Sequence, residues 1–399
     1  MKAFTGQAIL HFEGHAAHVS LSLDPTSGEF EAELLASALP DNLFNSHTGL
    51  AKTVRLANIT IPLPTGTLQC DELDDVFLAG RGGVSMSVTE TPISRALNLA
   101  NDRSGIRHIA LHPAAPLIQF IHVPALESVS ELYFLNNFIR GIPVTVAINN
   151  CSISFLPRET SLSVTCESDL RPLLPRIRAA WSVLQGAFPS HAASYNQDGG
   201  VDLAVRRPRP YYEGNSLFRG WQNLEPLLSA ILQSFVAKSE DEFKGWEKAI
   251  SFYLEGRNKE LDYDVRIIGF MVFIEMFDAA STMSKQTISQ EFSCSIEFAD
   301  LLVRMRNKLI HERMTLWNAI PQVHAALLQY QPGWSCSEID FTHGDFEHAS
   351  ILFFLHLELL VNLFIINHVG YSGSFDDNSE MIADINSKMV EQVVPPNGP

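Results

Sequence analysis

Along residues 1 to about 166, apolar and polar positions alternate in short runs. Examples are HVSLSL, FEAELL, TVRLANITI, VSMSV, VTVAI and SISF. A period of two places every second side chain on one face of a strand. Turn signals separate the runs: DPTSGE, RGG and INN. The pattern predicts a β-rich domain, a sandwich or a curled sheet. SDLRPLLPRIRAAWSVLQGA (168–187) then reads as a helix and VDLAVRR (201–207) as one more strand. Prolines and turn residues cluster in RRPRPYYEGN, which marks the boundary, so the first domain spans 1–210.

Beyond that boundary the period becomes helical. A helix is expected over 223–238, with Asn223 as its cap and Pro226 in its first turns. Ser239 and Glu242 form a capping box for the next, whose apolar stripe is Phe243, Trp246, Ile250 and Tyr253. VRIIGFMVFIEMFDAA (265–280) is apolar nearly all round and so reads as buried, with Glu275 alone in its midst. SIEFADLLVRMRNKLIHERMTLW (295–317) and residues 345–369 complete the set. The expectation is an α+β chain of two domains: a β-rich, sandwich-like domain at 1–210 and an all-α helical bundle at 211–370. An acidic, partly disordered tail follows at 371–399.

Charge narrows the partners. The net charge is −17, so a nucleic-acid partner needs a local basic cleft. Five cysteines (Cys70, Cys151, Cys166, Cys294, Cys336) form no CxxC and no framework, and MKAFTGQAILHFEG has no signal-peptide pattern. Both point to a reducing cytoplasm with free thiols. The apolar run 351–369 carries His356, Glu358, Asn362, Asn367 and His368 without a flanking basic anchor. It reads as a core or dimer-interface helix, and no membrane partner is expected.

The chemistry concentrates in RNKLIH (306–311). Four of the ten residues 304–313 are basic and one is acidic. On an α-helical wheel for 295–317, Phe298, Leu302, Met305, Leu309 and Leu316 make an apolar arc. Arg306 and Arg313 fall inside that arc; Asn307 and His311 sit on its edge. A guanidinium among apolar side chains needs an acid, a carbonyl or an anion. Two partners are open. One is Glu275, in a buried ion pair. The other is a phosphate gripped by Arg306, with His311 as acid or base.

An arginine, a polar residue, three further residues and a histidine on a late helix of a small bundle resembles the signature of HEPN domains. The resemblance covers roughly 215–370. A β-rich domain followed by such a bundle is also similar in architecture to ApeA-type anti-phage defence proteins. The family resemblance implies a metal-independent endoribonuclease that uses no cofactor. Two bundles pair in a homodimer or higher homo-oligomer, with their motifs facing across a cleft. Carried over, Arg306 binds phosphate, Asn307 fills the polar position, and His311 is the general acid/base. Glu275 and Arg313 support them, and Arg304 and Lys308 are the expected RNA-binding residues. The ribose 2′-hydroxyl would attack the adjacent phosphate, leaving a cyclic phosphate, with a phage-derived or nucleotide trigger as activator. The alternative is a non-catalytic binding or scaffold protein whose bundle only dimerises.

Other candidates read more plainly. Arg103–His108 and Arg107–His112 share the spacing, but NDRSGIRHIALHP is a turn entering a strand, so they lack a helix. His11, His15 and His18 lack zinc spacing and read as surface residues. In THGDFEH, Thr342 or Asp345 caps the last helix, and LAGRGGVSMS reads as a turn. Arg171, Arg176 and Arg178, with Arg206, Arg207 and Arg209, read as a solvated face, or else as a basic surface for RNA or a nucleotide. No GxSxG, Walker A, kinase or HExxH motif occurs.

Overall fold

The structure, a computed structural model, describes residues 4–24, 29–35, 53–63, 66–80, 106–113, 117–123, 130–204, 216–277, 284–341 and 346–385, with a few single positions excepted. The chain is α+β, an antiparallel sheet region followed by a helical region. It divides into two compact units. The first comprises 1–145, 149–174 and 190–211; the second comprises 146–148, 175–189 and 212–399. The segment 205–215, which holds most of the expected boundary sequence, lies outside the described residues, as do VSMSV, residues 342–345 and the last fourteen residues.

The described strands are β1 Phe4–Phe12, β2 His15–Asp24, β3 Glu29–Leu35, β4 Thr53–Leu63, β5 Gly66–Gly80, β6 Ile106–Pro113, β7 Leu117–Val123, β8 Ser130–Leu135, β9 Val144–Ile148, β10 Cys151–Pro157, β11 Ser161–Cys166, β12 Ser190–Tyr195 and β13 Gly200–Ala204. They form one sheet in the order β4-β1-β2-β3-β6-β5-β7-β13-β12-β8-β11-β10-β9, and β4 also pairs with β5. That extra pairing closes six strands into a ring. β5 makes the closure because it is 15 residues long. Thr67–Gln69 pair with β7, Val76–Gly80 pair with β6, and the other edge runs along β4. Leu10, Leu23, Leu56, Leu68, Val76 and Ile118 are fully buried within this single core. Of the two expected forms, a sandwich or a curled sheet, the strands take the second, and the sheet closes on itself through β4 and β5. Alternation says which residues face inward, but not whether a second sheet or the same one covers them.

The second unit holds the helices, here α1 Leu174–Gln185, α2 Leu224–Ala237, α3 Glu240–Arg257, α4 Tyr263–Glu275, α5 Lys285–Glu291, α6 Ile296–Arg306, α7 Leu316–Tyr330 and α8 Phe346–His368. α1 was expected inside the first domain. It falls in the second unit, with Ile177, Trp181 and Leu184 buried. Arg176 Nε donates to Phe235 O at 3.1 Å and its Nη2 reaches Glu240 at 2.7 Å; Arg178 meets Glu247 at 2.8 Å. Arg171 is held by Asp169 at 2.9 Å. These three arginines are neutralised locally and do not form a basic surface; Arg206, Arg207 and Arg209 lie outside the described residues.

The capping box is present: Ser239 N donates to Glu242 Oε2 at 2.9 Å, and Glu242 N to Ser239 Oγ at 3.4 Å. Asn223 occupies the cap position of α2 but makes no side-chain cap bond there. α3 and α4 cross closely. A Cβ on Gly269 would stand 2.9 Å from both Gly256 N and Phe252 O, so glycine is required at the crossing. α8 is a core helix. It is long and apolar enough to cross a membrane, yet 78% of its most apolar window is buried in the protein. Two of its polar residues are paired in the core. Glu358 meets Arg257 at 3.1 Å with both side chains almost fully buried, and Asn362 Oδ1 accepts from Arg257 at 3.2 Å and Tyr253 at 3.3 Å. The first part of the expected tail is built into this unit: Phe375 bridges Phe218, and Asn378 donates to Glu358 at 3.1 Å.

Candidate active site

The helix expected over 295–317 is three elements. Ser295 caps α6 by accepting Phe298 N at 3.0 Å. Glu338 anchors that cap, accepting Ser295 N at 2.9 Å and Ser295 Oγ at 2.7 Å. The α-helix ends at Arg306, and Asn307–His311 form one turn of π-helix. Glu312 N donates to Asn307 O at 3.3 Å, the five-residue reach of a π turn. Arg313 then takes a left-handed backbone, φ 55°, and the chain leaves the helix. α7 begins at Leu316, whose N–H is accepted by Asp264 Oδ1 at 2.7 Å.

The π turn creates the site. In an α-helix, residues five apart are separated by about 140° around the axis and cannot meet. A turn closed over five residues brings Arg306 and His311 onto the same side. Nη1 of Arg306 lies 3.2 Å from Nε2 of His311. Nε of the same guanidinium is hydrogen-bonded to Glu275 Oε1, in the last turn of α4. A carboxylate is disfavoured at the negative end of a helix, and the guanidinium offsets this. The result is a carboxylate–guanidinium–imidazole series that ends in solvent. The side chains of Arg306 and Glu275 are 26% and 28% exposed, and His311 is exposed. Glu275 is thus the partner of Arg306, in a pair that is half-open and not buried.

The segment between these anchors runs along α4. Arg306 is tied to Glu275 at the C-terminal end of that helix, and Leu316 to Asp264 in its first turn. Eleven residue steps at the α-helical rise set those ends about 16.5 Å apart. The nine residues 307–315 span between these ends, with Leu309 buried and Asn307, His311, Glu312, Arg313 and Thr315 exposed.

The remaining predicted residues separate from this centre. Arg304 pairs with Asp300 at 3.2 Å, which also takes Lys285 at 3.2 Å. Lys308 pairs with Glu312 at 2.7 Å. Asn307 is exposed at the start of the π turn. Arg313 is exposed and lies beyond the helix, so its expected place in the apolar arc is corrected. The wheel carried α periodicity through a turn that has none. Arg257, Glu358 and Asn362 form the deeply buried ionic cluster, which the wheel did not single out. Its signal was Glu358 and Asn362 four residues apart in the longest apolar run.

The other histidine candidates do not converge. His15 and His18, three residues apart on β2, point to opposite faces of the sheet. Residues 106–113 are a strand, so the second Arg107–His112 match lacks the helical setting, and 101–105 lie outside the described residues. Among the described residues no three His, Cys, Asp or Glu side chains are grouped to hold a metal ion. The thiols at the N-terminal end of α6 are quiet. Burial, with the Glu338 carboxylate adding to it, pushes Cys294 and Cys336 up to about 12. Burial also raises Glu338 itself. Hydrogen bonds from Ser295, Ser337 and Cys336 outweigh this and hold its carboxyl below the usual range. In comparisons with protein-family models, curated proteins and solved structures, nothing matches this chain.

Proposed function

We propose that this chain is a metal-independent endoribonuclease of the HEPN type, acting in anti-phage or stress defence. The observation that carries the reading is the Arg306–His311 pair: a cation and an acid/base group 3.2 Å apart, both open to solvent. Phosphodiester cleavage needs that combination. The guanidinium offsets charge on the phosphate as it becomes pentacoordinate, and the imidazole moves the proton. In this reading His311 takes the 2′-hydroxyl proton, O2′ bonds to phosphorus, and the P–O5′ bond breaks. The 5′ oxygen regains a proton, leaving a 2′,3′-cyclic phosphate. Glu275 orients Arg306, and Asn307 positions the ribose. Arg304 and Lys308 touch RNA only by exchanging Asp300 and Glu312 for phosphates. Two copies place their motifs across one cleft, and the β-rich unit senses a trigger or presents substrate.

The test is cleavage of single-stranded RNA by the purified chain in the presence of a chelator, with the 3′ ends analysed. Cyclic phosphate ends are expected. His311→Ala and Arg306→Ala should each slow cleavage by roughly 10²–10⁴, and toxicity on overexpression should disappear with His311→Ala. Full cleavage by His311→Ala would refute the reading.

The second reading is a scaffold in which the bundle only dimerises. What favours it is that Arg306 already has its carboxylate in Glu275. Under that reading, His311→Ala has no phenotype, and Arg306→Ala weakens folding or dimerisation alone.

A further inference from the structure

In the Arg306–His311 contact the donor is the arginine. A guanidinium carries donors only, so Nε2 of His311, 3.2 Å from Nη1, is the acceptor. An imidazole that accepts at Nε2 is neutral and carries its proton on Nδ1. The lone pair that a general base would use is therefore occupied by the arginine. The same guanidinium gives Nε to Glu275, while its Nη2 has no hydrogen-bond partner among the described residues. Phosphate binds a guanidinium best through two parallel N–H bonds. With Nε held by Glu275, the edge available is the one formed by Nη1 and Nη2. A phosphate seated there takes one N–H of Nη1 and competes with the imidazole for that nitrogen.

We infer that Arg306 is a latch on His311, which a phosphodiester releases by taking Nη1 and Nη2, exposing the Nε2 base only when substrate is seated. The inference rests on the nuclease reading of this site. The arginine does two things in sequence. Without substrate it blocks proton transfer at Nε2. With substrate it binds the anion and leaves Nε2 free beside the 2′-hydroxyl, whose proton Nε2 accepts as O2′ attacks phosphorus. Glu275 is the positioning residue: it retains Nε throughout, so the guanidinium does not swing away. The ligand class is an anionic phosphodiester.

The experiment uses the full chain labelled with ¹⁵N-histidine, with the His311 resonances identified by their loss in His311→Asn. Inorganic phosphate is titrated first. A 2′-O-methyl RNA oligonucleotide follows, which binds but has no hydroxyl to react. In the free protein the Nδ1–H tautomer is expected, with Nε2 at the shift of a hydrogen-bonded acceptor. On oligonucleotide binding, followed by fluorescence anisotropy in the same sample, Nε2 should move away from that shift. An Nε2–H tautomer in the free protein, or an unmoved Nε2 at saturation, would overturn the latch. If unmodified RNA is still cleaved in that case, the nuclease reading stands without it. If neither phosphate nor oligonucleotide binds and unmodified RNA is left intact, both fall.

Discussion

The carboxylate of Asp264, in the first turn of α4, accepts the backbone N–H of Leu316 at 2.7 Å. This bond starts α7 and closes the segment that begins at Arg306. It places the two ends of the candidate site on one rigid helix, because Glu275 at the far end of α4 holds the guanidinium. Buried Phe270, Phe273 and Ile274 lock that helix into the bundle.

Asp264→Ala removes the acceptor from a helix-initiating N–H. Loss of such a cap costs about 1 kcal/mol. A lower urea midpoint with an unchanged slope is expected, together with faster hydrogen exchange at Leu316 and in the π turn. Unchanged exchange there would mean that Asp264 does not anchor the segment.

Two arginine–carboxylate pairs of the bundle, Arg257–Glu358 and Arg306–Glu275, should differ in their effect on stability. Arg257 and Glu358 are 1% and 2% exposed, so Arg257→Ala strands a buried carboxylate at about 3–5 kcal/mol. Arg306→Ala opens a pair at the surface and should cost about 1 kcal/mol or less. Denaturant unfolding of both variants measures the contrast. Equal losses would make Arg306 a structural residue and favour the scaffold.

Cys294 and Cys336 should resist alkylation in the folded protein. Burial and the neighbouring Glu338 carboxylate hold both near 12, so almost no thiolate exists at pH 8. Mass spectrometry after iodoacetamide should find them unmodified until denaturant is added. Rapid labelling of the native chain would contradict the burial of this corner.

Acid should weaken the helical unit before carboxylates titrate. Burial pushes His356 below its ordinary value of 6.5, with Glu338 only partly restoring it. Burial and then Lys238 do the same to His368. A base whose folded pKa is depressed stabilises the fold only while neutral. That contribution is complete above about 6.5 and is lost as pH falls through the lower folded value. Glu338 adds a second loss below its ordinary 4.5, because its folded carboxyl is held lower still. Melting temperatures from pH 7.5 to 4 should fall in two stages, and His356→Gln should flatten the first. A profile flat between pH 7 and 5 would show that these histidines do not contribute.

Much of this was legible in the residues alone. Period-two alternation in HVSLSL and TVRLANITI specified strands and their inward faces, since burial of one face is a local property of a pleated chain. The capping box of Ser239 and Glu242 specified a helix start, because both of its bonds lie within four residues. The motif Arg306–His311 and the lone carboxylate Glu275 were visible as chemistry without a partner. Three matters needed the tertiary structure. Closure of the sheet through β4 and β5 depends on how far a strand curls, which alternation does not encode. The assignment of α1 to the helical unit depends on Glu240 and Glu247, more than sixty residues away. The meeting of Arg306 with His311 depends on a π turn, held between Glu275 and Asp264 at the two ends of another helix. Local periodicity reports which way a side chain faces; only long-range packing decides what it faces.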